Sequence, residues 1–324
     1  MASLTKNIDD VKVILDAGEL VAIPTETVYG LAAKATDTLA IKKIFETKGR
    51  PSTNPLILHF ASLDSILPYI DSITEDVRLL ADTFWPGPLT LLMPKSDLVP
   101  EIITAGLPRV AVRVPNHPMT LELLQRLDYP LAAPSANPSG YISPTNPSHV
   151  EKQLGTKIKM ILDGGNCIKG LESTILGWDE HHRPILYRQG VITKEDLETT
   201  LKKELQFHQS GSTILEAPGM LSSHYAPHTK TIVTIDIEKR IEQYKGLNIG
   251  LIKAYQSYDG FVSIKKEIVL SPTRSLDEVA KNLYAAMHEL DMLQLDLILI
   301  EEVPNVGIGL AINDRLRRSS TNNK

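Results

Sequence analysis

The chain has 324 residues, of which 42% are hydrophobic, 23% charged and 5% aromatic; 34 Lys+Arg against 39 Asp+Glu leave a net charge of −5. This composition excludes a disordered, collagen-like or coiled-coil chain. The acidic balance argues against a protein that lives by coating phosphate backbones, which requires an excess of Lys and Arg. The single cysteine, Cys167, can form no internal disulfide and points to a reducing compartment. No apolar run approaches the ~20 residues of a membrane span. Residues 1–6 lack the basic and apolar regions of a signal peptide. Single cores seldom grow past about 250–300 residues, so a cytoplasmic protein of two domains is expected.

Residues 1–205 alternate between helical and strand patterns. Ile8, Val11, Ile14 and Leu15 fall at helical spacing and Gly18 ends that segment. An apolar strand at 20–23 stops at Pro24, and Asp37 caps a helix with Ile41, Ile44 and Phe45 inward. A strand at 56–60 precedes a helix opened by Thr74 and Glu75, which ends before Trp85-Pro86-Gly87-Pro88. Further strands are expected at 89–93, 110–114, 131–133, 159–162, 173–176 and 185–187, with a closing helix at 193–205. Short strands with intervening helices predict an α/β domain on one twisted sheet.

Residues 206–230 break the pattern with Ser, Gly, Pro and His, and read as an interdomain linker. Beyond it, strands at 231–235, 247–252 and 297–300 and an amphipathic helix at 276–292 predict a small α/β domain over 231–324. Neither part is basic: residues 1–206 hold 21 basic and 25 acidic side chains, and the remainder 13 and 14.

Several segments carry chemistry-bearing residues at strand or helix ends. Pro24-Thr25-Glu26-Thr27-Val28-Tyr29-Gly30 follows an apolar strand, which suits either a ligand crevice or a turn whose threonines satisfy their own backbone. Lys48-Gly49-Arg50-Pro51 could grip an anion from two sides, or could complement a helix dipole. The small polar run 132–140 after a buried strand lets a ligand approach the backbone. Asp163-Gly164-Gly165, residues 171–175 and Tyr187-Arg188-Gln189-Gly190 end further elements. Neither the glycines of 164–170 nor Gly307-Ile308-Gly309 has a nucleotide-loop spacing. Hydrolase elbows, zinc-binding pairs and phosphate loops have no counterpart in the chain. His181, His182, His224 and His228 read as solvated or satisfied histidines, and Cys167 as an inert thiol.

Taken together, 24–30, 48–51, 54–59, 85–90, 104–106, 110–114, 134–137, 163–165, 172–175, 217–220 and 224–227 resemble the threonylcarbamoyl-AMP synthase family, the YrdC-like proteins, in a long form with an extra C-terminal domain. The resemblance is dense over 1–205, clear in the linker and looser beyond. It implies an open twisted sheet of the double-stranded-RNA-binding-like type with a large concave, positively lined cavity, plus a small Rossmann-like C-terminal domain. The implied reaction joins L-threonine, bicarbonate or CO2, and ATP into L-threonylcarbamoyl adenylate with release of pyrophosphate. The product then passes to a separate tRNA threonylcarbamoyl transferase complex, which modifies adenosine 37 of tRNAs reading codons that begin with A.

By similarity, Lys48 and Arg50 are the catalytic cations on the ATP phosphates, and Asn54, Ser135, Asn137, Ser143, Arg188 and Tyr225 contact the nucleotide. Thr27, His59, Arg113, Ala133 and Ser173 form the threonine pocket, with Arg113 meeting the substrate carboxylate. Tyr225 makes the linker a lid over the site. The family's usual Arg-Pro-Gly stands here as Arg188-Gln189-Gly190, and Arg109 carries no role beyond a backbone contact. The implied cofactor is Mg2+ on ATP with no protein metal site, and catalysis runs by orientation and charge stabilisation, no residue being an obvious general base. Weak or no direct tRNA binding and no membrane association are expected. The competing reading is a non-catalytic double-stranded RNA or tRNA-binding module, which the balanced charge disfavours. Arg315-Leu316-Arg317-Arg318 reads as a solvated basic tail or a docking patch.

Overall fold

The structure is a computed structural model, and it describes residues 1–208, 217, 225–258 and 264–320. They divide into two compact units. The first comprises Met1–Ser139, Pro144–Ile168 and Glu172–Met220; the second comprises Gly140–Ser143, Lys169–Leu171 and Leu221–Lys324.

The first unit opens with β1 (Ser3–Thr5), α1 (Ile8–Asp16), β2 (Val21–Ile23), β3 (Gly30–Lys34), α2 (Thr38–Lys48) and β4 (Ile57–His59). It continues through α3 (Leu63–Ile66), α4 (Glu75–Phe84), β5 (Leu89–Pro94), α5 (Glu101–Thr104), β6 (Arg109–Arg113) and α6 (Pro118–Arg126). β7 (Leu131–Ala132), α7 (Pro147–Leu154), β8 (Met160–Leu162), β9 (Thr174–Trp178), β10 (Pro184–Arg188), α8 (Lys194–Leu201) and β11 (Gln206–Phe207) complete it. Eleven strands form one mixed sheet in the order β1-β8-β2-β3-β7-β4-β6-β5-β9-β10-β11.

Alternation along the strands divides the core between the two faces. Ala22, Leu31 and Ala33 pack with α2 residues Ile41 and Ile44, whereas Val21, Ile23 and Ala32 pack with Val11, Leu15, Leu123 and Leu124 of α1 and α6. The expected caps form: the Asp37 carboxylate accepts from Leu39 and Ala40 N–H, and the Thr74 hydroxyl from Val77 N–H. Strands β1, β3 and β11 and helices α6 and α7 are additions to the sequence reading. α6 and α7 both start on a proline, which suits a first turn that needs no N–H donor. Gln206 and Phe207, expected to open the linker, instead extend the sheet beside β10. Of the linker's Ala217–Met220 motif only Ala217 is described; it is buried against Ile57, Leu92, Ala111 and Ile175. His224 lies outside the described residues.

The second unit contains β12 (Thr231–Thr234), α9 (Ile237–Gln243), β13 (Ile249–Lys253), β14 (Lys266–Val269), α10 (Leu276–Asp291), β15 (Leu297–Glu301) and α11 (Gly309–Ser320). Its four strands are all parallel, in the order β12-β15-β13-β14. α10 buries Val279, Leu283, Ala286 and Leu290, as its periodicity predicts. Gly309 is required by packing, since a Cβ there would stand 2.1 Å from the Pro304 carbonyl oxygen. Residues 315–318 are no solvated tail: they lie in α11, and Arg315 is 1% exposed. No described helix is long and apolar enough to cross a membrane.

Gly170 of the second unit has φ +75°, and a Cβ on it would fall 2.5 Å from the Lys281 carbonyl oxygen of α10. Gly165 has a similar φ, +73°, with open space around it. Gly165→Ala should therefore cost about 1–2 kcal/mol from backbone strain alone. Gly170→Ala adds a collision with backbone that cannot swing aside, for a total of roughly 3 kcal/mol or more. Thermal unfolding of the two variants should rank them in that order.

Candidate active site

The turn after β2 is built by Thr25. Its hydroxyl receives the N–H groups of Thr27 and Val28, both at 3.2 Å, and donates to the Val28 carbonyl at 2.6 Å. Thr27 Oγ1 lies 2.8 Å from Thr25 Oγ1 and accepts from Arg113 Nη1 at 3.1 Å, so the Thr27 proton points to Thr25. The turn reading holds for Thr25, whereas Thr27 faces a cation. Arg113 ends β6, donates from Nε to the Gly87 carbonyl at 3.2 Å, and places Nη2 2.7 Å from Glu26 Oε1. Glu26 and Arg113 are 2% and 4% exposed. Their contact is a close charge pair rather than an aligned hydrogen bond, and neither Glu26 oxygen accepts one among the described residues. Glu26 lay inside a recognised motif but was given no role. What gives it one is the guanidinium delivered from a distant strand.

α2 ends where Gly49 turns left-handed (φ 60°), with the Gly49 and Arg50 N–H groups bonded to Glu46 and Phe45 carbonyls. This turn sends Lys48 and Arg50 into different acceptor sets. Lys48 Nζ donates to the Ser135 carbonyl at 2.5 Å and to the Asn137 carbonyl, while Lys48 O accepts from Ser139 N–H at 2.7 Å. Arg50 donates to Asn54 O at 3.1 Å, Asn54 Oδ1 at 2.6 Å and Pro55 O at 2.7 Å. Burial, and then the Arg50 charge, pushes the Lys48 ammonium well below the usual lysine range. Asn54 is fully buried, and its Nδ2 has no hydrogen-bond partner among the described residues.

On the β9–β10 side, Arg188 donates from Nε to Ser173 O and from Nη2 to Ser173 Oγ, both at 3.0 Å. Ser173 Oγ is also 2.7 Å from Thr90 Oγ1. Gly190 makes this possible, since a Cβ there would meet the Glu172 carbonyl oxygen and Thr174 nitrogen at 2.5 Å. The departure at Gln189 thus leaves the glycine that the turn needs. His59 pairs in register with Arg113 across β4 and β6, and Ala133 follows β7 with its N–H on the Ile57 carbonyl. Burial and the Arg113 charge push His59 down to about 3, so its ring is neutral. Ser143 and Tyr225 belong to the second unit.

The first unit also holds a cavity of about 380 Å3, lined in part by Thr74, Asp76, Leu92, Arg109, Trp178 and Lys203. It contains none of the motif residues, and its Lys203 is already paired with Asp76. Arg109 does make its backbone contact, to Trp178 O at 3.0 Å, and also meets Tyr187 Oη at 2.9 Å. Cys167 is buried and its thiol is pushed up to about 12, as an inert thiol should be.

Comparison with known proteins settles the family. A family model described as "Telomere recombination" matches residues 13–190, and one described as "Threonylcarbamoyl-AMP synthase, C-terminal domain" matches 192–321. A threonylcarbamoyl-AMP synthase of Pyrococcus abyssi is 42% identical over 317 residues, spanning 94% of this chain and 91% of its own. The chain belongs to the threonylcarbamoyl-AMP synthase family. A Bacillus subtilis member is 39% identical over 319 residues, covering 95% of this chain and 91% of its own. The crystal structure of P. abyssi Sua5 complexed with L-threonine matches with a TM-score of 0.91 and 39% identity, over 99% of this chain and 97% of that one. The resemblance read from the motifs is borne out.

Neutral His59 makes a pH prediction. The unfolded ring binds a proton below about 6.5 and the folded ring only near about 3, so between these values the unfolded chain holds more protons. Stability therefore falls as pH drops through that window, by on the order of 2–3 kcal/mol from this group at pH ~4.5. Urea unfolding across the window should show a shallower loss for His59→Gln than for the parent chain.

Proposed function

We propose that this chain makes L-threonylcarbamoyl adenylate from L-threonine, CO2 or bicarbonate, and ATP, with release of pyrophosphate. The observation that carries the reading is the contact of the Lys48 ammonium with the Ser135 and Asn137 carbonyls, which joins the segments 48–51 and 134–137 of the resemblance at one buried point. Lys48 and Arg50 disfavour each other's charge when buried, so a polyanion between them relieves a cost already present. That is the property wanted for holding ATP phosphates and the charge that builds on them.

In this reading, threonine occupies Thr27, His59, Arg113, Ala133 and Ser173. Arg113 is held on three sides by Gly87 O, Thr27 Oγ1 and Glu26, so the substrate carboxylate meets a guanidinium whose orientation is already set. The threonine amine loses a proton and attacks CO2; the carbamate oxygen then attacks the α-phosphorus and pyrophosphate departs. Asn54, Ser135, Asn137, Ser143, Arg188 and Tyr225 would hold the nucleotide. Mg2+ enters on ATP as part of the substrate and offsets phosphate charge. The reading puts the enzyme in the cytoplasm and hands its product to a tRNA threonylcarbamoyl transferase complex for adenosine 37. The linker acts as a lid through Tyr225.

Incubation with ATP, Mg2+, L-threonine and bicarbonate should release pyrophosphate and yield a threonylcarbamoyl adduct by mass spectrometry. Lys48→Ala and Arg50→Ala should each lower kcat/KM by about 10²–10³; near-parental turnover in either would remove the phosphate assignment. Serine in place of threonine should cost roughly 10–100-fold, the worth of one methyl in a fitted pocket. Tight tRNA binding without any pyrophosphate release would favour the RNA-binding reading instead.

A further inference from the structure

One face of α10 is occupied in an unusual way. Lys281, Tyr284, His288 and Asp291 recur at helical spacing along it. Each meets a segment distant in sequence. The Lys281 backbone faces Gly170. Tyr284 stacks on Tyr225, with ring centroids 5.7 Å apart and planes 23° apart. His288 Nε2 lies 3.1 Å from the Ser143 carbonyl oxygen, which can only accept, so that nitrogen carries the proton. Asp291 takes the Tyr141 hydroxyl at 2.6 Å, and also the His228 and Thr229 N–H groups at 3.1 and 2.7 Å. Burial would raise Asp291, but these donors hold it below the usual carboxylate range.

The remaining contacts tighten the same set. The Tyr141 ring stacks on His228 at 4.6 Å and meets His288 edge-on at 5.8 Å. Ala226 N–H bonds to the Gly140 carbonyl at 2.8 Å. Tyr225 is 1% exposed at φ 65°, a left-handed conformation that a tyrosine adopts only when its surroundings hold it there. The second hold on its ring is the Arg315 guanidinium of α11, 5.1 Å from the centroid. All of these residues belong to the second unit. Two of the segments gripped are the ones that carry Ser143 and Tyr225.

We infer that His288, Tyr284 and Asp291 of α10, together with Arg315 of α11, are positioning residues for the nucleotide. They set Ser143 and Tyr225, and so make ATP affinity a property of the C-terminal domain's folded state. The inference rests on the reading of Ser143 and Tyr225 as nucleotide contacts. Coupling of this kind is reciprocal, so ATP binding should in turn slow amide exchange along α10.

The test measures KM for ATP, KM for threonine and kcat in the full chain. His288→Leu, which removes the donor to Ser143, should raise KM for ATP roughly tenfold, while kcat and KM for threonine stay within about twofold. His288→Gln keeps a donor of similar reach and should recover most of the ATP affinity. Tyr141→Phe, which loses only the hydroxyl on Asp291, should give a smaller rise in the same constant and guards against a His288→Leu chain that does not fold. A purely structural role would instead lower kcat with the active fraction and leave both KM values unchanged, and that pattern overturns the inference. Ser143→Ala and Tyr225→Phe separate the two layers. If they raise KM for ATP and the α10 variants do not, the positioning role is wrong. If they too leave it unchanged, the nucleotide reading of those two residues is what fails.

Discussion

Buried cations need acceptors, and in the first unit that requirement shapes the loops at the candidate site. Lys48, Arg50, Arg113 and Arg188 are each 4–8% exposed. An unpaired charge at such depth is too costly to keep. Each is therefore met by at least one main-chain carbonyl: Ser135 and Asn137 for Lys48, Asn54 and Pro55 for Arg50, Gly87 for Arg113, and Ser173 for Arg188. Carbonyls neutralise only partly. Arg113 is also met by a carboxylate at close range here, that of Glu26, 2.7 Å from its Nη2, and by the Thr27 hydroxyl.

The same requirement explains where glycine is obligatory. Gly190 lets Arg188 reach Ser173 because its Cα lies against the Glu172–Thr174 backbone, and Gly49 turns the chain left-handed so that Lys48 and Arg50 diverge. Small residues serve a similar purpose in 132–140, where Ser135 and Asn137 offer their carbonyls to Lys48 while the Ala136 N–H bonds to Tyr29 O. The polar loop that looked suited to a ligand is thus also the acceptor that makes a buried lysine tolerable.

Local signals in the chain were the readable ones. Asp37 and Thr74 cap the helices they were expected to cap, because a cap depends on three or four neighbouring residues. The apolar runs at 89–93 and 110–114 became β5 and β6 within a residue or so. Strand β3 was hidden, because Gly30 closes a motif that reads as a turn and only its neighbours β2 and β7 make it a strand. The two-residue β11 carries too little pattern to be seen at all. Arg315 illustrates a different failure: a basic cluster near the end of the chain looks solvated until a helix turns one of its arginines beneath an aromatic ring.

Helix boundaries set by caps, the apolar strands, the α/β class and, through the order of the motifs, the family are all legible in the chain. The motifs also name the residues of the candidate site, because a motif preserves which side chains are present. What each of them touches follows from the fold. Lys48 and Ser135 stand 87 positions apart, and Thr27 and Arg113 stand 86 apart. Sheet order brings such pairs together, and no local pattern encodes that order. Tertiary structure likewise assigned Ser143 and Tyr225 to the second unit. The physical reason is common to all three cases: hydrogen-bond acceptors and ring faces are chosen by proximity in space, which the chain acquires only on folding.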